Sequence, residues 1–167
     1  MNNSVVNVPI PINEPIKDYK PNSPEKDSVL AAYKNLNNST TDVKMWIGGK
    51  FVESSKTSNM SPPHDHKHIL GKYYLAEKKH VKMAIKSALD AKEKWAGMRW
   101  EERAAIFLKA AELVSGPYRD RINAATMLAQ SKTIFQAEID AACELVDCLN
   151  FNVYSMKNIY LSLIHIS

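Results

Sequence analysis

The chain has 167 residues, 45% of them hydrophobic and 24% charged, a composition that fits one folded unit and excludes wholesale disorder. Its 22 Lys and Arg against 18 Asp and Glu leave a formal charge of +4 spread along the chain, without the basic stripe that holds nucleic acid. The two cysteines, Cys143 and Cys148, fall in a helical pattern and point in different directions, which argues against a disulfide framework and against a structural zinc site.

Met1 to Pro11 shows neither the apolar core of a signal peptide nor the Arg-rich pattern of a transit peptide. No apolar run approaches the ~18 residues of a membrane span, so a soluble, intracellular protein is expected. Residues 1–22, with Pro9, Pro11, Pro15 and Pro21, read as an extended arm that must lie against something else. Ser23-Pro24-Glu25 reads as a helix start, with Val29, Leu30, Tyr33 and Leu36 on the apolar face. Asn37 to Thr41 reads as a polar loop. Met45 to Val52 reads as a hairpin around Gly48-Gly49. A strand is expected over Lys67 to Tyr74, weakened by Gly71.

From Glu77 the period changes to that of helices. Val81, Ala84, Ile85, Ala88, Ala91 and Trp95 mark one stripe; Trp100, Ala104, Phe107, Leu108, Ala111 and Val114 mark the next. Lys78, Lys79, Lys82 and Lys86 read as a solvated face. After Ser115-Gly116-Pro117, a further helix carries Tyr118, Ile122, Ala125 and Ala129 on one side. Thr133 with Gln136 forms a capping box that opens the longest helix. This helix is apolar on two sides, through Ile134, Ala137, Ala141 and Leu145 and through Phe135, Ile139, Ala142, Val146, Leu149 and Val153. Such a helix is expected to be enclosed by neighbours.

Few groupings suggest chemistry. His64, His66 and His68 would share a face of a strand and could bind zinc, but a polar loop explains them as well. The five glycines form neither phosphate-cradling pattern, so no nucleotide loop is expected in this segment. Cys143 and Cys148 read as helix cysteines that stay protonated. Glu138 stands out, because it interrupts an apolar side while the other acids of the helix gather opposite. A buried carboxylate needs a partner or a purpose: either an ion pair to Lys or Arg of a neighbouring helix, or contact with a ligand.

Several segments occur together in order: Asn13-Glu14-Pro15, Ile47-Gly48-Gly49-Lys50, Pro63-His64-Asp65-His66, Trp100 to Glu112, Asn123 to Met127, Gln136 to Ala142, and Phe151-Asn152. In this the chain resembles, over roughly residues 8–160, the N-terminal part of the 1-pyrroline-5-carboxylate dehydrogenase family within the aldehyde dehydrogenases. The resemblance implies a mainly helical piece of an α/β fold, with an extended N-terminal arm (1–22), an incomplete enzyme domain (23–160) and a non-native tail (161–167). It implies NAD-dependent oxidation of L-glutamate γ-semialdehyde to glutamate, with the nucleophilic cysteine, general base and NAD site downstream of this segment. No catalytic or cofactor residue is carried over, and the piece alone is expected to be inactive. Glu138 matches the family's glutamate beside the aldehyde and is expected to bind substrate. Ala129 stands where the family has glycine. A homo-oligomer is implied for the complete protein, in the cytoplasm or alternatively in the mitochondrial matrix. The competing reading is a stand-alone helical interaction module.

Overall fold

A computed structural model describes residues 7–162. Helix α1 (Pro24–Asn37) starts where the sequence places it. The Ser23 hydroxyl accepts from the Lys26 amide at 3.4 Å, and Pro24 sits in the first turn, where no donor is required. Val29 is buried, whereas Leu30 of the same expected face stays exposed.

Five short strands follow: β1 (Thr41–Val43), β2 (Met45–Ile47), β3 (Lys50–Val52), β4 (Thr57–Met60) and β5 (Gly71–Tyr74). The expected hairpin is β2–β3, pairing Met45 with Val52 across Gly48 (φ 61°) and Gly49 (φ 78°). Both central residues are left-handed, as a tight hairpin turn requires. The second sheet has the order β1-β5-β4, with β5 parallel to β1 and antiparallel to β4. The sequence shows neither β1 nor β4, because these edge strands are short and mostly polar and gain their pairing from β5. The strand expected from Lys67 shortens to Gly71–Tyr74; Pro63-His64 and His66-Lys67 form turns, and His68 to Leu70 lead irregularly into the strand. Gly71 is required rather than tolerated: at φ 147°, an added Cβ would lie 1.9 Å from the Thr41 carbonyl oxygen.

Helices α2 (Lys78–Gly97), α3 (Trp100–Ser115) and α4 (Arg119–Gln130) precede one long helical run. That run comprises α5 (Ile134–Ala137), a π-helical turn (Glu138–Cys143) and α6 (Glu144–Leu161). The capping box is present: Gln136 N donates to Thr133 Oγ1 at 3.3 Å, and Thr133 N donates to Gln136 Oε1 at 3.0 Å. Helix α3 packs along α6 and α1 along α4. The arm lies across them, burying Val8 against Ala104 and Val153, with Trp100, Leu108 and Met156 around that cluster.

Two expectations change. The buried side of α4 is Arg119, Asn123, Ala124 and Leu128, not Tyr118, Ala125 and Ala129, which are exposed. Polar residues take the inner face because they serve a carboxylate beneath them. The apolar stripe of α2 is not buried either. Val81, Ile85 and Trp95 of that stripe are exposed, as is Leu89 outside it, to 62%, and α2 is held by the β2–β3 hairpin and an edge-on Trp95–Phe107 contact at 6.5 Å. Helix α6 buries Val146 and Val153 and leaves Leu145, Phe151 and Ile159 bare. Among the described residues no helix is long and apolar enough to cross a membrane. Of the tail expected at 161–167, all but Leu161 and Ser162 lies outside the described residues.

Candidate functional site

The π-turn begins at Glu138, and that residue organises the most polar part of the interior. In an α-helix, side chains five residues apart diverge by about 140° around the axis. The wider π-turn reduces that divergence. It therefore brings Cys143 beside Glu138, with Sγ 3.8 Å from Oε1.

Donors to Glu138 come from two elements, helix α4 and the N-terminal arm. Arg119 and Asn123 lie one turn apart on α4. Arg119 Nε is 3.2 Å from each carboxylate oxygen, and its Nη2 also bonds Oε1. Asn123 Nδ2 donates to Oε2 at 2.7 Å. From the arm, Lys17 N donates to Oε1 at 2.9 Å and Tyr19 Oη to Oε2 at 2.7 Å. The remaining donors of Arg119 reach the Glu14 carboxylate, Ser115 O and Pro15 O, the last at 2.7 Å. Glu138 is 0% exposed and Arg119 2%.

The charges follow from these contacts. Burial pushes the Glu138 carboxyl up, but the Arg119 guanidinium, the Lys17 amide, Tyr19 and Asn123 outweigh it and hold its pKa at about 2. Burial opposes the charge on Arg119, and its bonds to Glu138 and Glu14 more than restore it, raising its pKa. Burial raises the Tyr19 pKa, and its bond to the Glu138 anion raises it further. Burial and the Glu138 charge push the Cys143 thiol up to about 11, so it is protonated at neutral pH.

The oxygens of Glu138 are occupied by this chain's own donors, and it has no exposed surface on which to touch a ligand. The structure shows the ion pair to a neighbouring helix. Arg119, Asn123, Tyr19 and Glu14 complete the site, and sequence reasoning missed all four. Arg119 and Asn123 at helical spacing on α4 were the available signal, hidden because a buried arginine looks like a surface one in sequence.

The other candidates disperse. His64 Nδ1 pairs with Ser131 Oγ at 2.7 Å and His68 Nε2 with Asn37 O at 2.9 Å, both outside any strand rather than on a shared strand face. Cys148 is exposed, unlike the buried Cys143, and both are free thiols. A cavity of about 490 Å³ between α1, α4 and the sheet is lined by Leu36, Met60, Leu70, Leu128 and Arg121, among others, and no carboxylate, histidine or cysteine lines it. Among the described residues Gly48 and Gly49 form the hairpin turn and the other three glycines stand singly, so no glycine-rich phosphate cradle is present there.

Comparison with known proteins adds the context. The profile of the aldehyde dehydrogenase family matches residues 51–166. A probable delta-1-pyrroline-5-carboxylate dehydrogenase of Schizosaccharomyces pombe is 42% identical over 151 residues, covering 90% of this chain and 28% of the yeast protein. The mitochondrial delta-1-pyrroline-5-carboxylate dehydrogenase of Homo sapiens is 40% identical over 140 residues, covering 84% of this chain and 25% of the human one. The crystal structure of the Mycobacterium tuberculosis delta-pyrroline-5-carboxylate dehydrogenase, bound with NAD and cobalamin, superposes with a TM-score of 0.94 at 39% identity, over 97% of this chain and 31% of that one. The chain thus spans little more than a quarter of the length of these curated relatives.

Proposed function

The chain belongs to the aldehyde dehydrogenase family, and we propose that it forms the N-terminal region of a longer protein that oxidises L-glutamate γ-semialdehyde, the open form of 1-pyrroline-5-carboxylate, to L-glutamate with NAD. The carrying observation is the 42% identity to the yeast pyrroline-carboxylate enzyme over 90% of this chain. The bare apolar stripes of α2 and α6 support it, because further polypeptide of the fold would cover them.

These 167 residues do not perform that chemistry alone. The reaction needs an ionised thiol, and Cys143 is buried and held protonated by its surroundings. The NAD site in this reading lies in the longer protein, downstream of these residues. In this reading, the segment Gln136–Ala142 borders the aldehyde pocket, and Glu138 acts on substrate indirectly, by fixing that helix through Arg119. The test is to express the longer reading frame and follow NAD reduction with glutamate γ-semialdehyde, acetaldehyde serving as comparison. Preference for the semialdehyde supports the assignment; equal use of both, or of neither, overturns it.

The bare α2 stripe also suits the second reading, a helical interaction module. A monodisperse 167-residue monomer with cooperative unfolding favours that module. For the complete protein we propose a homo-oligomer, to be checked by sedimentation.

A further inference from the structure

The contacts of the N-terminal arm carry an inference independent of the dehydrogenase reading. Among the described residues, the arm before α1 has neither helix nor strand, so other elements hold its backbone. It is anchored at two levels of the long helix. At one level, Asn13 Nδ2 and Glu14 N donate to the two oxygens of Asp147, each at 2.7 Å. At the other, Lys17 N and Tyr19 Oη donate to Glu138. Between them, the Pro15 carbonyl accepts from Arg119 and lies 3.9 Å from Cys143 Sγ. Tyr19 adopts φ 50°, a left-handed conformation that a bulky residue keeps only when its surroundings impose it.

We infer that residues 13–19 are a closing strap, latched on Asp147 and Glu138, which seals the π-turn and opens as a local unit without unfolding the helices. Opening is local because the packing of α1 on α4 and of α3 on α6 does not run through this segment. Of the strap's apolar side chains Ile16 is exposed, while Tyr19 is buried and held through its hydroxyl on Glu138, so apart from the Tyr19 ring the hold comes from polar contacts to ionised groups. What lies under the strap is the Glu138–Arg119 pair and the Cys143 thiol, 5% exposed. Cys148, on the same helix, lies clear of it.

The two thiols provide the test. The protein is treated under native conditions, at neutral pH, with a maleimide, and labelling at each cysteine is followed by peptide mass spectrometry. Tyr19→Phe removes one latch contact while keeping the ring, and Asp147→Asn weakens the other. Neither removes Arg119, so Glu138 keeps its cation. Each contact is a hydrogen bond to a charged group, whose loss is worth a factor of roughly ten or more. The expected result is that Cys148 labels rapidly and equally in all forms. Cys143 should be slow in the parent and about tenfold faster in each variant, with amide exchange in α3 and α4 unchanged. Cys143 labelling as fast as Cys148 in the parent overturns the inference. So does an unchanged Cys143 rate in both variants, or reactivity that rises only together with exchange in α3 and α4.

Discussion

Replacing Arg119 by methionine leaves the Glu138 carboxylate buried without its cation. The pair has excellent geometry, with two oxygens facing one guanidinium and neither residue appreciably exposed. Breaking such a pair from one side costs about 3–5 kcal/mol, because the orphaned charge stays in the interior. For a chain of this size, that corresponds to a fall in Tm of roughly 6–20 °C. Tyr19, Asn123 and the Lys17 amide still solvate the anion, which places the effect toward the lower end. The assay is urea unfolding of Arg119→Met, Glu138→Gln and the double variant as a cycle. The double variant should be more stable than Arg119→Met alone, since removing both charges removes the orphan. If Arg119→Met lies within about 0.5 kcal/mol of the parent, as a surface substitution would, the buried pair is not the organising contact described above.

The pH dependence follows from the same group. The Glu138 pKa is about 2 against an ordinary 4.5, so the fold favours the anion. Its stabilisation is complete above pH 4.5 and is lost as pH falls from there through about 2. Acid unfolding of Glu138→Gln should be correspondingly flatter across that interval. Gly71→Ala forces a Cβ into the Thr41 carbonyl, separates β1 from β5 and should lower stability by at least about 2 kcal/mol in urea unfolding. Thr133→Ala removes one half of the capping box and should cost about 1 kcal/mol. Leu89→Lys should leave the unfolding of the 167-residue chain within about 0.5 kcal/mol of the parent, because Leu89 faces solvent here.

Local signals in the sequence carried much of the fold. The Ser23 and Thr133 caps, the Gly48-Gly49 turn and the helical period from residue 77 depend on neighbours within a few residues, and each produced the expected element. What depended on distant partners was hidden. Strands β1 and β4 exist because β5 pairs with them, and their polar residues give no alternating pattern. The π-turn follows no composition rule, since Ile139 to Cys143 would suit an α-helix equally well. Glu138 was legible as an anomaly, an acid on a greasy side, and its need for a partner was sound. That the partner is Arg119, supported by Tyr19 from an arm 119 residues away in sequence, required the tertiary arrangement. The stripe of α2 is apolar as expected, but apart from Trp95 against Phe107 it stays exposed among the described residues.

The most direct test of the proposal that this chain belongs inside a larger dehydrogenase is amide hydrogen exchange along α2 and the outer face of α6, compared between the 167-residue chain and the longer protein. The account predicts rapid exchange in α2 in the short chain and strong protection in the long one, with the Glu138 region protected in both. Equal, strong protection of α2 in the 167-residue chain alone would show a self-sufficient unit and contradict it.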